Sequence, residues 1–276
     1  MVARLEPTTT TLICPRNDGE GVAIIELAKC LGFDVRESNQ PWGATLEEEP
    51  AMTFADLKEN VVIVEMPGVA KEKELGERHK LYIIDHHKYE SIDRGNPRSS
   101  LEQLAELAGY TLNRWQTGVA LNDRGYIPAL QQHQYSREEI RQIREFDLRA
   151  QGYIDTDFRR LEAEYELGQT RDNQLYVVQT SQPKTSYLAD VHFWKNTERT
   201  QKLDLLILST SNNAQVKKVS FTGRPAVARR LFEKLGGFCG GDECASMYWG
   251  KELPETPQLD ELLKHVDEAV ERKEGG

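Results

Sequence analysis

The sequence predicts an α/β protein: a parallel-sheet domain joined by a helical connector to a smaller α/β domain. Three observations predict it. Short apolar runs at 11–14, 61–64 and 81–84 alternate with helix-length segments through the first half. From Ser136 the texture becomes charged and helical, and from Leu175 a second strand–helix alternation begins. Strands that are apolar throughout and separated by helices imply a parallel sheet covered on both faces.

Residues 11–14 (TLIC) form the first expected strand, running into the turn PRNDGEG at 15–21. A helix follows, with Ile24, Leu27, Ala28 and Leu31 on one face and Gly32 as its stop. Residues 34–37 read as a half-exposed strand, and the acidic stretch 41–50 between two prolines reads as a loop. The runs 61–65 and 81–85 read as buried strands on either side of a charged helix. Ser100 is placed as the cap of a helix over 101–108, and 118–122 falls in a further helix.

The segment Ser136-Arg-Glu-Glu139 has capping-box spacing and opens the charged connector. Strands are then expected at 175–179, 203–208 and 217–221, with a helix over 226–235 and a glycine-rich turn at 236–241. The domain expectation is 1–135, a connector over 136–170, a second domain over 171–252 and a C-terminal helix over 253–276. That last helix carries Leu259, Leu262, Leu263, Val266, Ala269 and Val270 as one stripe. The stripe reads as a face docked on the body, with a homodimer contact as the alternative.

Composition narrows the function. With 35 Lys+Arg against 45 Asp+Glu, the formal charge is −10, which argues against binding long duplex DNA through its phosphates. A small phosphorylated ligand held by local groups remains compatible. No apolar stretch approaches a membrane span, and the first residues lack a signal-peptide core. Four cysteines in 276 residues do not make a disulfide scaffold, so a cytoplasmic setting is expected.

The chemistry gathers at strand ends, where open parallel sheets place ligands. Asp18 and Glu20 follow the first strand, Glu65 the third, and Asp85, His86 and His87 the fourth; Asp123 closes a helical segment. Each acid alone reads as a cap or a solvated charge. Together, converging carboxylates repel unless a cation neutralises them, so the set points to a divalent metal. Mixed carboxylate and imidazole donors suit manganese, with magnesium, zinc and iron as competitors. His79, His133, His192 and His265 are isolated and read as surface or packing residues.

The run Ile83-Ile84-Asp85-His86-His87 resembles the signature of the DHH phosphoesterases. The neighbouring motifs keep the family's order. Cys14, Asp18 and Glu20 stand where the family has a His and two Asp, Glu65 where an acid closes a strand, and Asp123 where a fourth acid follows. The second half resembles the family's DHHA1 domain, whose strand and helix precede a glycine-rich loop. The likeness implies that Asp18 and Glu65 hold one metal and that Glu20, Glu65, His86 and Asp123 hold a second. It implies that His87 faces a substrate phosphate, that Asp85 orients His86, and that Arg224 with Gly236, Gly237, Gly240 and Gly241 binds substrate.

The departures from the family are specific. Two Asp positions are Glu, the first His is Cys14, and Asp242 stands where a His is expected. Cys14 is expected to point into the core, which leaves one metal well held and the other poorly. The implied function is a metal-dependent phosphoesterase acting on short single-stranded oligonucleotides, dinucleotides or small phosphate compounds. The alternative is a catalytically impaired DHH-fold subunit that binds a nucleotide or a protein.

Overall fold

The computed structural model describes residues 4–89, 92–210, 216–242, 246–253 and 259–271. The chain divides into two compact units, 1–152 and 153–276, described in turn. The first is built on a four-stranded sheet in the order β2-β1-β3-β4, formed by β1 (Thr10–Pro15), β2 (Asp34–Ser38), β3 (Asn60–Val64) and β4 (Lys80–Ile84). All three pairings are parallel, as the apolar runs imply. β1 is buried at every position and β3 at its last four, as befits the two central strands. β4 departs from the expectation of a buried strand: it lies at the sheet edge, with Ile83 37% exposed.

Helices α1 (Gly19–Cys30), α2 (Val69–Gly76) and α3 (Ser100–Ala108) follow β1, β3 and β4. The cap of α3 is Ser99 rather than Ser100, and its capping box with Glu102 is complete. Helix α4 (Arg114–Gln132) is two helical pieces joined at Gly125 and Tyr126, which leave helical geometry. Pro128 explains the break, because in a continuous helix its ring would clash with the carbonyl four residues earlier. Helix α5 (Arg137–Ala150) starts at the expected Ser136 capping box and packs on α1 and α4.

The expected connector is therefore divided between the units: α5 belongs to the first, and α6 (Asp155–Glu166) packs on elements of the second. The second unit holds a six-stranded sheet formed by β5 (Gln169–Arg171), β6 (Leu175–Thr180), β7 (Asp204–Thr210), β8 (Val216–Gly223), β9 (Phe238–Asp242) and β10 (Ser246–Glu252). Its order is β5-β6-β7-β8-β10-β9, and only β6 and β7 run parallel. Helix α7 (Ser186–Thr197) packs against α6, and α8 (Pro225–Leu235) against β10.

The C-terminal helix α9 (Leu259–Glu271) docks on its own unit. Val266, Ala269 and Val270 join Phe221, Trp249, Val227 and Leu231 in one apolar core. Arg171 to Asp267 (2.7 Å) and Lys234 to Glu268 (2.8 Å) pin its outer face. Burying a side chain the size of Phe221 contributes about 2–3 kcal/mol, so this packing outweighs the rim ion pairs. Among the described residues, no helix is long and apolar enough to cross a membrane.

Candidate metal centre

Strands β1, β3 and β4 are neighbours, so the acids and imidazoles that follow them come out at one end of one sheet. Asp18 is the N-cap of α1, and its Oδ1 accepts from the Gly21 backbone N at 2.8 Å. Gly21 is required here because a Cβ would stand 2.4 Å from the Pro15 carbonyl oxygen. Glu20, buried in the first turn of α1, accepts from the backbone N of Ser100 (3.2 Å) and of Leu101 (3.0 Å). It thus satisfies two of the unpaired donors at the start of α3 from another helix.

Glu65 leaves β3 with φ +49°, in the left-handed region that a non-glycine residue rarely occupies. Such strain gathers at functional sites. Asp123 lies just before the break in α4, near a helix C-terminus, where the dipole disfavours a carboxylate. Both acids are placed against local preference.

His86 is where they meet. Its Nε2 lies 2.6 Å from Asp123 Oδ2, 3.3 Å from Glu65 Oε1 and 3.8 Å from Glu20 Oε2. Yet His86 Nε2, Glu65 Oε1 and Asp123 Oδ2 are buried with no hydrogen-bond partner. One donor atom from each of Glu20, Glu65, His86 and Asp123 lies within 4.8 Å of every other, and Glu65, His86 and His87 form an overlapping set. Buried polar atoms that converge without hydrogen-bonding one another are what a cation would satisfy. The residues therefore fit a divalent metal.

The proton affinities express the same crowding. Burial, then Asp123 and Glu65, push the Glu20 carboxyl well above its ordinary range. Burial and Glu65 do the same to Asp123, and lift Asp18 to about 7. Burial also works against ionised Glu65, but His86 and His87 outweigh it and hold that carboxyl low. Both imidazoles are in turn raised: burial opposes their charge, and Glu65 for His86 and Asp85 for His87 more than compensate. Without a cation, the cluster keeps protons that a metal would displace.

One implied role changes, and Cys14 lies in the core as expected. Asp85 binds His87 rather than His86: its Oδ1 accepts from the His87 backbone N at 2.9 Å and lies 3.1 Å from His87 Nδ1. Its Oδ2 accepts from the Tyr89 hydroxyl at 3.0 Å. Cys14 stands apart from the donor set; it is fully buried, with Sγ 3.4 Å from the Pro15 carbonyl oxygen. Burial, then Glu65, push its thiol well above the usual range, which disfavours the thiolate a metal requires.

The expected substrate loop of the second unit is also corrected. Gly240 and Gly241 lie in β9, paired with Tyr248 and Met247 of β10, rather than in an open loop of amides. The close pairing accounts for the glycines: a Cβ at Gly240 would stand 2.5 Å from the Tyr248 hydroxyl, and one at Gly237 2.3 Å from the Gly250 carbonyl oxygen. Gly236 ends α8 at φ +67°. Arg224 donates to Asp204 through its backbone N (2.9 Å) and Nε (2.7 Å), and to Gln174 Oε1 at 3.2 Å.

Arg144 and Asp147 of α5, buried and bonded to residues next to Asp18, Glu20 and Asp123, gave no signal in the sequence. Their charged, helical context resembles a solvated face, and only the burial of Ile140, Ile143 and Leu148 on the same helix signals otherwise.

No family model matches the sequence, and no curated protein does. Among solved structures, the chain is similar to a RecJ exonuclease bound to manganese, at 10% identity and a TM-score of 0.42, over 96% of this chain and 90% of that one. It is also similar to CDC45 from Entamoeba histolytica, at 8% identity and a TM-score of 0.36, over 95% of each chain. An uncharacterized protein from Helicobacter pylori G27 matches at 11% identity and a TM-score of 0.31, over 95% of this chain and 98% of that one. These likenesses are loose.

Proposed function

We propose that the chain is a divergent DHH-type phosphoesterase whose Glu20, Glu65, His86 and Asp123 hold a divalent cation. One observation carries this reading: three buried atoms, His86 Nε2, Glu65 Oε1 and Asp123 Oδ2, converge and none makes a hydrogen bond. Oxygen donors with one imidazole suit manganese first, then magnesium, zinc or iron. When bound, such a cation supplies Lewis acidity at phosphorus and eases the ionisation of water.

The protein groups have separate tasks. Glu65, set by its left-handed backbone, and Asp123, from α4, would hold the cation. His87, two-fifths exposed, has Nδ1 held by Asp85 and offers Nε2 to a phosphate oxygen. The carboxylate fixes the ring's orientation and favours its charged form. Short oligonucleotides, dinucleotides or small phosphate compounds are the substrate classes.

One observation favours a second reading, an impaired subunit that binds a nucleotide or protein. Cys14 is sealed in the core and Asp18 is engaged as a helix cap, so a second cation has a poor donor set. The test is a substrate panel with metal-stripped protein, with and without Mn²⁺. Hydrolysis that requires Mn²⁺ and disappears in His86→Ala supports the phosphoesterase. Absence of hydrolysis for every class, whether Mn²⁺ binds tightly or not at all, overturns the phosphoesterase and selects the second reading.

A further inference from the structure

Helix α5 presents two charged residues inward. Arg144 is 6% exposed and Asp147 9%. Asp147 Oδ1 accepts from the backbone N of Gly19, the residue between Asp18 and Glu20, at 2.9 Å. The approach is close enough to require glycine: a Cβ at residue 19 would stand 2.8 Å from Asp147 Cα. Asp147 Oδ2 accepts from Arg144 Nη1 at 2.7 Å and from Gln151 Nε2 at 3.1 Å.

Arg144 carries the network to the far side of the cluster. Its Nη1 also donates to Asn122 Oδ1 at 3.1 Å, one residue before Asp123. Its guanidinium lies 4.4 Å from the centre of the Tyr126 ring, a cation–π distance. Tyr126 sits at φ +58°, ψ −153°, a backbone region almost confined to glycine, and it forms the break that ends the helix bearing Asp123.

We propose that Arg144 and Asp147 are positioning residues for the cation site. One buried ion pair joins the turn that carries Glu20 to the strained helix end that carries Asp123. It thereby sets the separation between acids that reach His86 from opposite elements. A buried ion pair is weak evidence of a stability role, because well-packed apolar residues stabilise as well or better. Here both ends of the pair bond to positions adjacent to proposed ligands, and α5 needs no such charges to pack. The inference rests on the reading of the cluster as a cation site.

The experiment measures Mn²⁺ affinity of the metal-stripped full chain by calorimetry and Mn²⁺ electron paramagnetic resonance, with urea unfolding in chelator alongside. Asp147→Ala is expected to weaken Mn²⁺ binding about 10–100-fold, the range for outer-shell partners. Asp147→Asn, which keeps an acceptor for Gly19, is expected to lose less, and Arg144→Met to resemble Asp147→Ala. Tyr165→Phe in the second unit, which loses one buried hydrogen bond, serves as the stability control and is expected to leave the affinity unchanged. If Asp147→Ala does not fold, Asp147→Asn and Arg144→Lys carry the test. Unchanged affinity in the folded variants, whatever their stability, overturns the positioning role while wild-type binding keeps the site. A wild type that binds no Mn²⁺ overturns the site reading itself, and this inference with it.

Discussion

Two imidazoles, one in each unit, have opposite surroundings. His192 is satisfied on both sides: Nδ1 lies 2.9 Å from the Tyr165 hydroxyl and Nε2 2.8 Å from the Leu203 carbonyl oxygen. Burial holds it neutral, at about 4. His86 has three carboxylates within 3.8 Å of Nε2 and no hydrogen bond from that atom. The difference separates a structural histidine from a proposed ligand. A fold that needs only stability pairs its buried polar atoms, and a fold that binds an ion leaves them aimed at one point.

The comparison breaks most easily at His86. His86→Ala is expected to weaken Mn²⁺ binding at least about 100-fold, beyond the loss typical of an outer-shell partner, with little change in chelator-treated stability. Calorimetry with parallel urea unfolding checks this, and retained binding would show that His86 is packing after all. His192→Ala should do the reverse. It leaves the Tyr165 hydroxyl and a carbonyl unpaired and opens a cavity, so a loss of about 2–4 kcal/mol in urea unfolding is expected, with Mn²⁺ affinity intact.

Proton linkage sharpens the contrast. Asp18 is raised to about 7, and Glu20 and Asp123 are raised as well, so their contribution is full below the ordinary carboxylate range. It is lost as pH rises through the folded values. His192 is depressed to about 4, so its contribution is full above the ordinary histidine value and lost as pH falls through about 4. Hydrogen exchange of metal-free protein should show β1 and β3 amides losing protection between pH 5 and 8, while β6 and β7 amides gain it. Saturating Mn²⁺ is expected to abolish the first trend and leave the second. The same slope with and without Mn²⁺ would disconnect the acids from the metal.

The smallest effect is expected at Cys14. Cys14→Ala should leave Mn²⁺ stoichiometry unchanged and alter stability by about 1 kcal/mol. A lost metal equivalent would place the thiol in the site.

Much of this arrangement was legible in the sequence. The strand ends announced Asp18, Glu65 and the Asp85–His87 run because apolar runs mark central parallel strands, and neighbouring strands bring their ends together. The docking of α9 was legible in its stripe. What stayed hidden has physical reasons. Arg144 and Asp147 have the composition of a solvated face, and no local pattern distinguishes a buried ion pair from an exposed one. The glycines at 236–241 satisfy an edge strand as well as a loop. Asp85 adjoins His86 in sequence and is two residues from His87, yet backbone geometry gives it to His87.

Glu65 carries a further consequence. At φ +49° a glycine would relax the backbone, relieving strain on the order of 1 kcal/mol, but it would remove the carboxylate that the cluster shares. Selection of this chain for heat resistance alone would therefore be drawn toward Glu65→Gly, and selection for metal retention away from it. Durability and chemistry compete at one peptide unit, and a library screened only for folding would erode the site there first.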